Sequence, residues 1–178
     1  MEQMHGGSAV RVDSNDGDKT IPACDALITN DPKVELVVRT ADCLPLSVRD
    51  KKARAIGLIH AGWRGLEREI IAKTIRLMQK EFSSKPEDLK IFLGPHICKK
   101  HYEVKEDVAS KFTKYKALTT RVDKKYLDLA GIAALQLTKL GVKTKNIKID
   151  KRCTFEDKSL FSYRRGDVGK NNLFLFRL

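Results

Sequence analysis

The stretch "RAIGLIH", Arg54 to His60, constrains the fold more than any other. Apart from its first and last residues it carries nothing polar, as expected of a strand covered on both faces. It runs straight into "AGWRGL", after which the pattern turns helical. Leu66, Ile70, Thr74, Met78 and Phe82 recur four apart, and Ile71 and Ile75 widen the stripe. Glu67 and Glu69 in the first turn and Lys80 in the last suit the helix dipole. A buried strand handing over to a helix is where sheet proteins build sites, because the strand end is rigid and a helix start attracts anions. Here the strand ends on a histidine. Gly62 and Gly65 let the backbone turn and approach a ligand, and Arg64 stands where a phosphate can be gripped.

The remaining chain supplies partners for that unit. "KVELVVRT", "LPLSVRD", "LKIFLG" and the tail "NNLFLFRL" read as strands. "SSKPED" breaks the first helix. Further helices are predicted over "EDVASKFTKY" and over "DLAGIAALQLTKLG", the latter closed by Gly141. With no repeat, low-complexity segment or linker, residues 1–178 read as one α/β domain of packed mixed β-sheets flanked by helices.

Composition narrows the class. Apolar residues at 42% against 33% charged describe a globular chain rather than a disordered one. No apolar run reaches the roughly 20 residues of a membrane helix, and "MEQMHGGSAV" lacks the basic and apolar regions of a secretory signal, so a cytoplasmic location is expected. Four cysteines without a C-x-x-C pair argue against a zinc ribbon or a thioredoxin motif, and in the cytoplasm they stay reduced. The net charge of +12 is spread in short pieces such as "RDKKAR" and "KTKNIKIDKR". It forms no dense basic helix and no nucleic-acid motif, so a solvated surface is favoured over an RNA-binding one.

Three positions share a chemical character. His5 precedes two glycines, Cys43 lies in the break between two strands, and His60 ends the next one. Two imidazoles and a thiolate suit zinc with one position open, as in catalytic rather than structural sites. Each also has a plain reading: a terminus that frays, a small buried thiol, a hydrogen-bonded core histidine. His96 is a further candidate, His101 beside two lysines reads as exposed, and Trp63 reads as packing.

Taken in order, "QMHGG", "CDALIT", "TADCLPL", "IHAGWRGL", "GPHI…YEV", "LDLA" and "CTFEDKSLFSYRRG" resemble the YfiH or laccase-domain family, from Gln3 almost to the last residue. The resemblance implies packed mixed sheets flanked by helices and a zinc site on His5, Cys43 and His60. It also implies phosphorolysis of purine nucleosides such as adenosine, inosine and methylthioadenosine, or deamination of adenosine. Older descriptions of such proteins assign copper-dependent phenol oxidation, and cell-wall descriptions assign removal of a wrong amino acid from a muramyl precursor. Several positions depart from the family pattern. The segment that normally precedes Q-x-H-G is missing, which points to a short member or to cover supplied by a partner copy, as in a homo-oligomer. His96 replaces a cysteine, Ala133 an asparagine, and Val168-Gly169-Lys170 stands for Thr-Gly-Arg.

The leading expectation is therefore a zinc-dependent purine nucleoside phosphorylase, with adenosine deamination as a side activity. His5, Cys43 and His60 would hold the metal, and Arg64, Arg39 and Arg164 the phosphate. Asp42 would orient a metal-bound histidine or carry a proton. The first alternative makes Cys43 a nucleophile and His60 its base in an amide-cleaving editing reaction. A copper oxidase has too few histidines, four in all, for a multicopper centre. A basic module without catalysis is the alternative from another class.

Overall fold

The computed structural model describes residues 1–17, 19–115, 118–121 and 124–178. The elements in chain order are β1 (Ala9–Arg11), β2 (Ala26–Thr29), β3 (Leu36–Thr40), β4 (Leu44–Asp50), β5 (Ala55–Ala61), α1 (Trp63–Glu67) and α2 (Ile70–Phe82). They continue with β6 (Lys90–Leu93), β7 (Glu103–Val104), α3 (Glu106–Ala109), β8 (Leu118–Arg121), β9 (Lys124–Leu127), α4 (Leu129–Lys139), β10 (Ile147–Ile149) and β11 (Asn172–Phe176).

Six strands form the main sheet in the order β1-β2-β5-β4-β6-β10. It is mixed: the outer pairs β1–β2 and β6–β10 are parallel, and the inner pairs antiparallel. The apolar strand β5 lies inside it, and all seven of its residues are buried. One face is closed by the helices, with Ile70, Ile71, Ile75 and Met78 of α2 and Ile132, Ala133 and Leu137 of α4 fully buried in one cluster. On the opposite face β3 and β11 pair antiparallel as a second sheet. Leu36 and Val38 of that sheet bury against Leu27, Ile56 and Leu58 of the first. A three-stranded sheet β7-β9-β8 completes the α/β arrangement, in agreement with the expected fold class.

Two helices depart from the pattern. The stripe from Leu66 to Phe82 is not one helix, because Glu69 takes a left-handed conformation at φ 58° and separates α1 from α2. The N-terminal glycines pass at this point. A Cβ on Gly7 would lie 3.2 Å from the Arg68 carbonyl oxygen, and one on Gly65 would lie 3.4 Å from that of Gly6. The helix expected over residues 106–115 is α-helical only through Ala109, then tightens to a 3-10 stretch over Ser110–Tyr115. In α4 the start is capped by the Asp128 carboxylate, which accepts from the Gly131 N–H at 2.8 Å. Its end is closed at Gly141, whose φ of 95° suits glycine.

Candidate metal centre and cavity

Strand register assembles the site. Leu44 of β4 pairs with Ala61 of β5, so Cys43 comes to lie beside Gly62 at the open end of the sheet, next to His60. A Cβ on Gly62 would stand 2.9 Å from Cys43 Sγ and 3.3 Å from His5 Cδ2, so only glycine fits there. On the other flank the parallel pairing of Ala9 with Ala26 draws the segment before β1 alongside Asp25, which immediately precedes β2. His5 is delivered by that segment.

Asp25 organises the centre. Fully buried, it accepts hydrogen bonds from the backbone N–H groups of Met4, His5 and Gly6 at 3.3, 3.0 and 2.6 Å. Three successive N–H groups wrapped round one carboxylate hold His5 in a left-handed backbone, φ 52°. The same carboxylate meets His60 Nδ1 at 2.7 Å. Burial works against ionising Asp25, but the His60 contact and the N–H donors outweigh it and hold its carboxyl below the usual carboxylate range. With Nδ1 committed, the Nε2 face of His60 is left for the cluster.

The His5 and His60 rings meet edge-on, 4.7 Å between centroids. One ligand atom each from His5, Cys43 and His60 lies within 4.8 Å of the others. Burial pushes the Cys43 thiol up, yet hydrogen bonds from both imidazoles overcome this and bring it to about 7. Burial likewise pushes His60 down, and its bonds to Asp25 and Cys43 reverse that to about 9. Two imidazoles and a thiol that ionises readily form a donor set that fits zinc. The carboxylate behind His60 is the usual orienting partner of such a ligand.

The cluster lies in a cavity of about 760 Å³, also lined by Arg39, Thr40, Arg64, Tyr102, Tyr163, Arg164 and Lys170. Its walls carry more cations than carboxylates. Arg64 lies over the Trp63 ring at 4.2 Å, and its guanidinium makes no hydrogen bond among the described residues. Arg39 uses its backbone, exchanging hydrogen bonds with the Gln3 amide, and leaves its side chain exposed. Thr40 Oγ1 is buried without a hydrogen-bond partner among the described residues.

Several expected residues occupy other places. Asp42 does not touch a histidine of the cluster. Its carboxylate accepts from Thr154 Oγ1 at 2.6 Å and from the Arg164 backbone N–H at 2.7 Å, so Asp25, not Asp42, orients His60. The Arg164 guanidinium donates twice to the Glu103 carbonyl, which makes it a wall rather than a free anion clamp. His96 is buried away from the cluster, with Nδ1 on the Gly94 carbonyl at 2.9 Å. Ala133 is helix core. Lys170, noted as a departure from Thr-Gly-Arg, still brings a cation to the cavity wall. His101 is not simply exposed: it stacks on Phe155 and pairs with Glu156. Sequence reasoning missed Asp25, although a carboxylate directly before the apolar run "ALIT" was the available signal.

The fold and site define a class that known proteins share. The chain belongs to the family described as multi-copper polyphenol oxidoreductase laccase, which matches residues 1–176. A purine nucleoside phosphorylase of Corynebacterium glutamicum is 37% identical over 96% of this chain and 70% of its own length. One of Bacteroides thetaiotaomicron is 34% identical over 90% of this chain and 62% of its own. Among solved structures, YlmD from Geobacillus stearothermophilus matches with a TM-score of 0.92 at 30% identity, and YfiH of Bacillus licheniformis with 0.91 at 27%. Each covers 99% of this chain, which in turn covers 72% of each. The chain spans between 57% and 70% of the first curated relatives it matches. No helix among the described residues is long and apolar enough to cross a membrane.

Proposed function

We propose that residues 1–178 act as one unit, a zinc-dependent purine nucleoside phosphorylase of the cytoplasm that takes adenosine, inosine or methylthioadenosine and phosphate. The observation that carries this reading is the convergence of His5, Cys43 and His60 within 4.8 Å in a cationic cavity of about 760 Å³. That volume suits a nucleoside with phosphate beside it. Curated relatives at 32–38% identity bear the name purine nucleoside phosphorylase, which supports the reaction class. The four free cysteines fit a reducing compartment.

Zinc, when bound, supplies a Lewis acid toward a phosphate or water oxygen. Other roles belong to the chain. Arg64 and Arg39, whose guanidinium groups are free among the described residues, bind and orient phosphate for attack on C1′ as the base leaves. Trp63 holds Arg64 in place through its ring. Tyr102 and Tyr163 present apolar faces with polar tips to the nucleoside. Asp42 positions the wall through Thr154 and Arg164. Deamination of adenosine in the same cavity, with water in the place of phosphate, is the accompanying activity.

The test is metal content together with phosphate-dependent release of base from the three nucleosides. One zinc fewer per chain in Cys43→Ala than in wild type, with turnover lost, supports the proposal. Turnover that survives in Cys43→Ala sinks it. The second reading, Cys43 as nucleophile with His60 as base, is favoured by one observation, the thiol brought to about 7 beside a basic imidazole. It predicts activity toward an amide substrate that resists chelators and disappears on alkylation.

A further inference from the structure

A second group of soft ligands lies outside the cavity. Cys98 and His101 are three apart in a turn closed by the His101 N–H donating to the Cys98 carbonyl at 3.0 Å. Cys153 and Glu156 are spaced alike, and the Glu156 N–H donates to the Cys153 carbonyl at 3.1 Å. The two turns face each other. Thr154 N–H donates to the His96 carbonyl at 3.1 Å, and the Cys98 N–H reaches Cys153 Sγ at 3.2 Å. Ligand atoms of Cys98, His101 and Glu156 thereby fall within 4.8 Å of one another. His101 Nε2 meets Glu156 Oε1 at 2.8 Å, while the ring is held by stacking on Phe155 at 4.5 Å between centroids.

We propose that Cys98, His101 and Glu156 form a second metal site, one that takes zinc and staples the loop after β6 to the loop that carries Thr154 and Arg164. A thiolate, an imidazole and a carboxylate are all zinc ligands, and two-residue spacing within a turn is a frequent way to present a pair of them. The Cys153 thiol stands behind Cys98 and accepts its N–H. The side chains of His101 and Glu156 are 31% and 52% exposed, so an ion has a path from solvent. Loading replaces the His101–Glu156 hydrogen bond by two bonds to the ion and displaces the Cys98 proton. The consequence reaches the cavity by short links. Tyr102, which lines it, directly follows His101, and Thr154 holds Asp42. The Arg165 guanidinium already ties this loop through the carbonyls of Thr154, Phe155 and Asp157, and the metal would add a tie to the neighbouring segment.

The assignment does not depend on the His5–Cys43–His60 centre, and the experiment separates them. Cys43→Ala protein, kept reduced and stripped with chelator, is titrated with zinc and with cobalt(II), followed by elemental analysis after gel filtration. One ion per chain is expected, with a cobalt–thiolate absorption band and a higher melting temperature on zinc addition. All three are expected to vanish when Cys98→Ser or His101→Ala is added. Glu156→Gln, at an exposed position, is expected to weaken binding at least tenfold with the fold intact by circular dichroism. No retained ion in Cys43→Ala, or retention that survives His101→Ala and Cys98→Ser, overturns the site. A Cys98–Cys153 disulfide formed in place of metal uptake overturns it as well.

Discussion

At the scale of single residues, the centre depends on one buried carboxylate. Asp25 orders the His5 segment and the His60 ring together, so Asp25→Asn is expected to lower zinc affinity by about 10–100-fold while the fold persists, as for other partners of metal-bound histidines. Competition against a chromophoric chelator measures this. The same chain of contacts sets the reactivity of Cys43. In metal-free protein its thiolate should form as pH rises through about 7, against about 8.5 for an ordinary thiol. The rate of alkylation against pH reports the midpoint. In Asp25→Asn the His60 imidazolium loses its partner, so less positive charge faces the thiolate and the midpoint should move up. An unmoved midpoint would mean that His5 alone sets it. Gly62→Ala is the steric counterpart: its Cβ would collide with the Cys43 sulfur, and zinc retention should fall sharply.

At the scale of elements, the hand-over from β5 to the helices carries both stability and chemistry, and the two can be separated. Ile75 is fully buried in α2, on the face against the sheet. Ile75→Ala should cost about 3 kcal/mol in chemical denaturation through lost burial and the cavity left behind. Metal stoichiometry should be unchanged, because the cluster is positioned by β4, β5 and the segment before β1. The break at Glu69 belongs to the same scale. Helical periodicity was legible from Leu66 to Phe82, but the left-handed residue between α1 and α2 was not. It follows from where Gly6 and Gly7 cross, which is a contact between segments far apart in the chain.

At the scale of the whole molecule, net charge and cavity charge act in the same direction. The chain carries +12, and the cavity walls present Arg39, Arg64 and Lys170. Under the proposed activity, Arg64→Ala should raise the KM for phosphate tenfold or more and change the KM for nucleoside little. Raising ionic strength should raise the phosphate KM of wild type as well, since screening weakens attraction between exposed cations and an anion. Steady-state kinetics with phosphate and nucleoside varied separately test both.

Much of this protein is determined by local pattern. The apolar run of β5, the stripe of α2, the cap at Asp128 and the close at Gly141 each follow from neighbours within a few residues, where periodicity and backbone preference decide. The triad His5, Cys43 and His60 was marked by motifs whose order resembles the family, whereas the strand ends and the glycine turn these residues occupy signal a metal set only weakly by themselves. Tertiary structure alone decided which carboxylate serves the triad. Asp25 and Asp42 both sit beside a cysteine next to an apolar strand, and only strand register turns one toward His60 and ties the other to Thr154 and Arg164. It also decided that Arg164 is committed to Glu103 while the Arg64 guanidinium is free among the described residues, that Lys170 reaches the cavity, and that Cys98, His101 and Glu156 meet. Those pairings join residues up to 122 apart in the chain, and a sequence holds no local signal for a contact whose geometry is set by the packing of everything between.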